Sequence, residues 1–304
     1  MVLRFLDSLI RLVVSVVGVC LLTMVVMLSI PGNPVFSVAE RGMDAAELQR
    51  RQQELSLSGT KERLVFLAQK LLFLDFGTSR ITGEDIGREL SQRLLNTGYL
   101  ACLSLLLFLC LGIGAAFFAI WYQGRWPDRL IDLLSSWVLA TPVFWFGIVL
   151  IGVFSLNLGW FPVSGSDGIV SMILPALTVS VRPAAFLCKM LRQRLAEILD
   201  KRFIAVARAK GLSQSRILFW HVARNGLLPV ITISGMEFSQ LLTGAVVAET
   251  LFALKGLGSY IVFGVESRDY DIILACVFVS GLLVCMANSL ADFLNQMADP
   301  RLRQ

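Results

Sequence analysis

The chain has 304 residues, 56% of them hydrophobic and 16% charged, with a mean hydropathy of +0.73 and a formal net charge of +5. Soluble domains are roughly 45–50% apolar and about 25% charged, so an ordinary water-soluble domain is excluded and a polytopic membrane protein is expected. One histidine, His221, rules out a multi-histidine metal site within the chain. Cys20, Cys102, Cys110, Cys188, Cys276 and Cys285 lie in or beside apolar segments without a Cys-x-x-Cys pair, as small buried apolar residues do.

A bilayer core about 30 Å thick takes about 20 mostly apolar residues of helix. The first such run is Leu9–Ile30. It exceeds the apolar core of about 7–15 residues in a signal peptide, and Pro31-Gly32-Asn33-Pro34 after it is a turn cluster, not a cleavage site. Residues 1–30 are therefore read as an N-terminal segment with a retained helix. Residues 31–97 form an extracytoplasmic insert. Within it, Asp44–Leu55 is polar and helix-prone, and Glu62–Leu74 sets Leu64, Leu67, Ala68, Leu71 and Leu72 at helical spacing. Such a helix suits packing on the bundle or a part in receiving solute. Arg88–Arg93 is a second amphipathic stretch, leading into the next span.

Residues 98–304 form the core, with spans expected at Gly98–Tyr122, Leu133–Leu156, Ile169–Cys188, Gly226–Phe252 and Ile272–Leu290. The fold class is all-α, with six transmembrane helices and both termini in the cytoplasm. Basic residues set this orientation. The 189–225 loop carries Lys189, Arg192, Arg194, Lys201, Arg202, Arg208, Lys210, Arg216 and Arg224 against Glu197 and Asp200, whereas Asp167, Glu266, Asp269 and Asp271 fall in outer loops. This asymmetry follows the positive-inside rule, so the basic excess reports topology and no nucleic acid partner is expected. Thr141-Pro142 in the third span and Leu174-Pro175 in the fourth each forfeit a backbone hydrogen bond. Either a hinge or an inert kink fits them.

The 189–225 loop contains Phe203-Ile204-Ala205-Val206-Ala207-Arg208-Ala209-Lys210-Gly211-Leu212, followed by a basic run and Asn225-Gly226-Leu227-Leu228-Pro229. Alanine keeps such a helix narrow enough for a groove on a partner. Gly211 is placed to cap it, and Arg208 and Lys210 suit its last turn through the helix dipole.

These residues resemble the cytoplasmic coupling loop of permease subunits of binding-protein-dependent ABC importers, in the dipeptide/oligopeptide/nickel branch. Further matches run in order along the chain: Pro31-Gly32-Asn33-Pro34, Leu74-Asp75-Phe76-Gly77-Thr78-Ser79, Leu158–Gly165, Ile173–Thr178, Val247–Phe252, Gly256-Leu257-Gly258, Arg268-Asp269-Tyr270 and Asp299-Pro300-Arg301. The resemblance implies the type I importer permease fold in a bacterial cytoplasmic (inner) membrane. It also implies partnership with membrane lipid, a second homologous permease subunit, two ATPase subunits and an extracytoplasmic solute-binding protein. Ala207, Arg208, Ala209, Lys210, Gly211 and Leu212 would form the ATPase contact, with Asn225 and Pro229 fixing the return to helix five. The cargo implied is a short peptide, or nickel or another metal–chelator complex. Gly59–Glu62, Leu95 and Leu254-Lys255 depart from the family pattern around the outer mouth.

Arg182 and Glu237 fall within spans, where the family usually has uncharged residues. At 1.5 Å per residue their depths differ by about 7 Å, so three placements fit them: a pair, a pathway lining in which Glu237 meets a cationic solute, or positions outside the apolar core. Glu249, near the outer end of helix five, is a weaker gate candidate. Glu84-Asp85 and Asp269/Asp271 read as solvated caps and turns.

No Gly-x-x-x-x-Gly-Lys-Ser/Thr loop, His-Glu-x-x-His, Gly-x-Ser-x-Gly or dinucleotide fingerprint occurs. The chain is thus expected to be a non-catalytic translocation subunit that binds no cofactor, ATP and Mg²⁺ belonging to its partners. The competing class, a six-span membrane enzyme or sensor, needs convergent catalytic side chains or a sizeable output domain, and the sequence offers neither.

Overall fold

The structure is a computed structural model, and it describes residues 13–22, 25, 73–79, 81–165 and 168–298. Among these residues the regular structure is helical, apart from one isolated antiparallel bridge between Thr78 and Asp85. The helices are α1 (Val13–Leu22), α2 (Ile86–Trp121), α3 (Trp126–Ala140), α4 (Val143–Asn157), α5 (Ile169–Leu199), α6 (Arg202–Ala209) and α7 (Gln214–Gly226). They continue as α8 (Leu228–Gly244), α9 (Val246–Leu251), α10 (Leu257–Glu266) and α11 (Tyr270–Ala298).

Three helices are long and apolar enough to cross a membrane, and two further pairs qualify as bent spans. The parts of Leu9–Ile30 beyond α1 and Val25 lie outside the described residues, as do Asp44–Leu55, Gly59–Glu62, nearly all of Glu62–Leu74, and the closing Asp299-Pro300-Arg301. The structure also redraws several boundaries. The helix of the fourth span does not stop at Cys188 but runs on beyond the apolar stretch as α5 to Leu199, 31 residues in all. The second begins at Ile86, not Gly98, because Arg88–Arg93 forms its first turns and Arg93 is bound to Glu89 at 2.7 Å.

The largest correction concerns Leu133–Leu156. It is not one straight span but two helices, α3 and α4, bent by 108°. The cause is local. Pro142 disfavours helical backbone at the residue before it, and Thr141 is extended at φ −91, ψ 135. Trp137, Trp145 and Phe146 then pack edge to face around the corner at 5.7–6.0 Å. The fifth span is divided as well: α8 ends at Gly244 and α9 resumes at Val246.

Contacts divide the chain into two units. The first comprises Met1–Gly98 and Lys255–Met286, with a core of Phe76, Ile86, Leu90, Tyr260, Ile272 and Phe278. Its loops are held by polar side chains. Ser79 Oγ donates to Asp269 Oδ2 at 2.8 Å, and Asp269 in turn accepts Ile272 N–H. Thr97 Oγ1 accepts Leu257 N–H at 2.8 Å, and Asn96 donates to the carbonyl of Lys255. Asp85 caps α2 by accepting Arg88 N–H. The cap expected of Asp269 is thus present, but the residue is 1% exposed, not solvated.

The second unit comprises Tyr99–Leu254 and Ala287–Gln304. It is built on α5, against which α3, α4, α7, α8 and α9 pack. Its cores lie at two levels of that helix. One gathers Leu100, Leu174, Val179, Leu241 and Phe252, and the other gathers Phe108, Leu187, Leu191, Leu195, Ile198 and residues of α6 and α7. Gly112 allows α2 and α5 to touch closely, since a Cβ there would stand 3.0 Å from the Ala184 carbonyl oxygen. Small residues serve helix contacts in a bilayer in this way. Outward-facing Leu106, Leu111 and Phe118 of α2 stay exposed, as suits a chain whose solvent is lipid.

Candidate functional site

The Ala-rich segment folds as α6 over Arg202–Ala209. Its end is a Schellman turn: Gly211 N–H donates to the Arg208 carbonyl at 2.9 Å and Leu212 N–H to the Ala207 carbonyl at 3.3 Å. Gly211 has φ +77, a left-handed conformation that glycine adopts without steric cost. The cap expected from sequence is therefore the one the chain makes.

One face of α6 is rooted in the protein. Ile204 and Ala207 are buried in the cluster that holds Leu195 and Ile198 of α5 and Ile217, Leu218 and Val222 of α7, with Leu212 packed beside it. The other face is open. Phe203 is 43% and Val206 54% exposed, and Arg208, Ala209 and Lys210 also face outward. This face thus sets an exposed apolar pair beside basic neighbours. Beneath it, α7 contains a π-helical stretch, Ile217–Val222, and then bends by 56° into α8, where Pro229 occupies the first turn. Asn225 Nδ2 donates to the His221 carbonyl at 2.8 Å, closing the last turn of α7.

A charged brace holds α5 to α3 near this end. Arg192 Nε and Nη2 fork onto Asp128 Oδ1 and Oδ2 at 2.5 and 3.0 Å, and Asp128 also accepts Gly124 N–H. Both residues lie outside the apolar stretches 133–156 and 169–188. The Arg192 hydrogen bonds, reinforced by Gly124 N–H, hold the Asp128 carboxyl below the usual carboxylate range, against the opposing effect of burial. Lys189 adds contacts to Asp132 at 3.4 Å and to Ser136 Oγ at 2.6 Å. Sequence reading counted these basic residues as topology signals and missed the brace, because both acids sit in the short loop and first turns of α3.

Deeper along α5, Arg182 and Glu237 line one cavity of about 470 Å³. Arg182 is exposed and Glu237 half-buried, and among the described residues no ion pair or hydrogen bond joins them. Glu249, the third gate candidate, lies elsewhere. It is 1% exposed, on α9 within the fold, and its carbonyl accepts Leu254 N–H at 2.8 Å. Among the described residues no group of three or more His, Cys, Asp or Glu side chains is disposed to hold a metal ion.

The family described as "Binding-protein-dependent transport system inner membrane component" matches residues 109–304. The glutathione transport system permease protein GsiC of Pectobacterium atrosepticum is 32% identical over 300 residues, covering 98% of both chains. That of Escherichia coli strain K12 is 32% identical over 275 residues, covering 90% of each, and that of Salmonella typhimurium 31% over 299, covering 98% of each. In fold the chain is similar to a subunit chain of the MetNI methionine ABC transporter in inward-facing conformations, with TM-score 0.58 and 14% identity over 69% of this chain and 96% of that one. It is also similar to a chain in the crystal structure of an amino acid ABC transporter with histidines, with TM-score 0.55 and 13% identity over 69% and 94%.

Proposed function

This chain belongs to the binding-protein-dependent transport system inner membrane component family, in its dipeptide/oligopeptide branch, and on that premise we propose that its cargo is a short peptide and that α6 is where it receives force. It is an ABC importer permease subunit of the inner membrane, and its partner ATPases hydrolyse the ATP. In the arrangement we propose, two such permeases pair, an external solute-binding protein delivers the peptide, and ATP with Mg²⁺ stays on the ATPases. The chain itself crosses the membrane six times with both termini inside. The relatives named for glutathione, itself a tripeptide, support a cargo of that size and class.

The observation that carries the coupling role is the two-sided burial of α6. Ile204 and Ala207 fix it to α5 and α7 through one apolar cluster, while Phe203, Val206 and Arg208 stay open to a partner. A push on the open face cannot be absorbed locally, because close-packed cores transmit displacement. It passes into α5, which is unbroken from Leu199 to Ile169, and through α7 and the bend at Pro229 into α8. These two helices wall the cavity of Arg182 and Glu237. ATPase closure at one end therefore reshapes the solute space at the other, as alternating access requires.

The test is to co-express the permeases, ATPases and binding protein and follow ATP-dependent uptake of labelled di- and tripeptides into proteoliposomes. Val206→Asp should lose ATPase co-purification, since a central interface anchor is worth about 2 kcal/mol or more, and uptake should fall with it. An ATPase that stays bound to Val206→Asp and to Phe203→Ala with undiminished uptake would refute the role given to α6. A complex that hydrolyses ATP but imports no peptide would refute the cargo.

A further inference from the structure

The cavity of about 470 Å³ is walled on one side by Val179, Arg182, Pro183 and Phe186, one face of α5, and on another by Glu237 and Gln240 of α8. Leu139 and Val143, which flank the 108° corner between α3 and α4, border it as well. Its size falls in the range of about 300–1,000 Å³ typical of small-ligand sites, and its composition, apolar walls with a few polar groups, matches them too. The two charges are opposite in sign and stand on different helices. They are not ion-paired to each other among the described residues. Unpaired charges at membrane depth are costly, and they mark pathways or partners. Pro183, on the same wall, has no N–H to donate to the carbonyl of Val179 one turn earlier.

From this geometry we infer that the cavity is a way-station on the transport pathway that recognises zwitterions. Glu237, helped by the Val179 carbonyl, takes the ammonium of a free peptide, and Arg182 takes its carboxylate by a two-pronged hydrogen bond. The apolar walls admit side chains of any kind, so the site reads the termini common to all short peptides and leaves side-chain selection elsewhere. This rests on the peptide-import reading above and names the chemical feature of the cargo that the membrane portion senses. A lone cationic or anionic solute satisfies one charge and leaves the other unmatched.

The assembled complex in nanodiscs, without binding protein, should be titrated with radiolabelled Ala-Ala, N-acetyl-Ala-Ala and Ala-Ala-amide. Wild type should hold Ala-Ala about tenfold or more tighter than either blocked form, the worth of one charged hydrogen bond. Glu237→Gln should abolish the preference for a free amino group and keep that for a free carboxylate. Arg182→Gln should do the converse. Glu237→Asp and Arg182→Lys should retain part of each preference, which a merely structural role would not produce. The inference is overturned if wild type binds all three alike, if both Gln variants keep both preferences, or if the variants separate the permease subunits and so place the charges at that interface. Uptake measured alongside with binding protein and ATP separates the failures. A wild-type complex that imports Ala-Ala yet shows no terminal preference sinks this inference alone, whereas one that imports no peptide sinks the cargo reading with it.

Discussion

Gly211 is a position where one residue decides a local conformation. Its φ of +77 is required by the turn that ends α6, and a Cβ there meets no neighbour within 4 Å, so within the chain itself substitution acts through backbone strain. Gly211→Val should cost about 1–2 kcal/mol in the turn, and Gly211→Asn less, since asparagine tolerates this region. We expect uptake by reconstituted complexes to fall for Val, with Asn intermediate, while the helical content of the chain by circular dichroism is unchanged. Asp128 offers a second test, with a definite sign. Its carboxyl is held below its ordinary value, so the stability it contributes is complete above the unfolded value of about 3.9 and is lost as pH falls through the lower folded value. Thermal unfolding of the detergent-solubilised protein should be flat from neutral pH to about 4 as far as this group is concerned, and fall below. Asp128→Asn should be less stable by about 1–3 kcal/mol at pH 7 and should lack that part of the acid-side decline.

Helices α2 and α5 touch at Gly112, where even a methyl group would crowd Leu187 and the Ala184 carbonyl. Gly112→Val should therefore destabilise by about 1–3 kcal/mol through overpacking, seen as a lower unfolding temperature and poorer yield of assembled complex. Gly114, two residues on with nothing within 4 Å, should tolerate alanine. Elements of this kind were unevenly legible in the sequence. α6 and its cap could be read because helix, glycine and the residue beyond it are neighbours in the chain. Thr141-Pro142 announced a break but not its angle, since the 108° corner is set by what Trp137, Trp145 and Phe146 pack against. Arg88–Arg93 was legible as an amphipathic stretch leading into the span, but not as the first turns of the same helix, where Glu89 and Arg93 pair one turn apart and the Arg93 guanidinium stands 4.3 Å from the centre of the Tyr260 ring. Two motifs recognised separately, Thr78-Ser79 and Arg268-Asp269, meet through a buried hydrogen bond between residues 190 positions apart. No local pattern contains that contact. Burial of Glu249 was equally illegible, because a carboxylate near the end of a span carries no mark of which way it faces.

At the scale of the molecule, a continuous α5 ties the proposed docking face to the cavity proposed for solute. Leu195 and Ile198 pack in the cluster that roots α6, and Arg182 stands farther along the same rod at the cavity. Equilibrium couplings run both ways: if one site alters the affinity of another by some factor, the second alters the first by the same factor. A peptide held between Arg182 and Glu237 should thus change the grip of the ATPases on α6 by as much as the ATPases change the grip on the peptide. Titrating ATPase subunits onto nanodisc-held permeases with and without saturating Ala-Ala should show the shift, typically about 5–150-fold for couplings of this kind, and Gly211→Val should shrink it. The permease would then report to its motors whether it is loaded, so that nucleotide is spent on cargo and not on an empty passage.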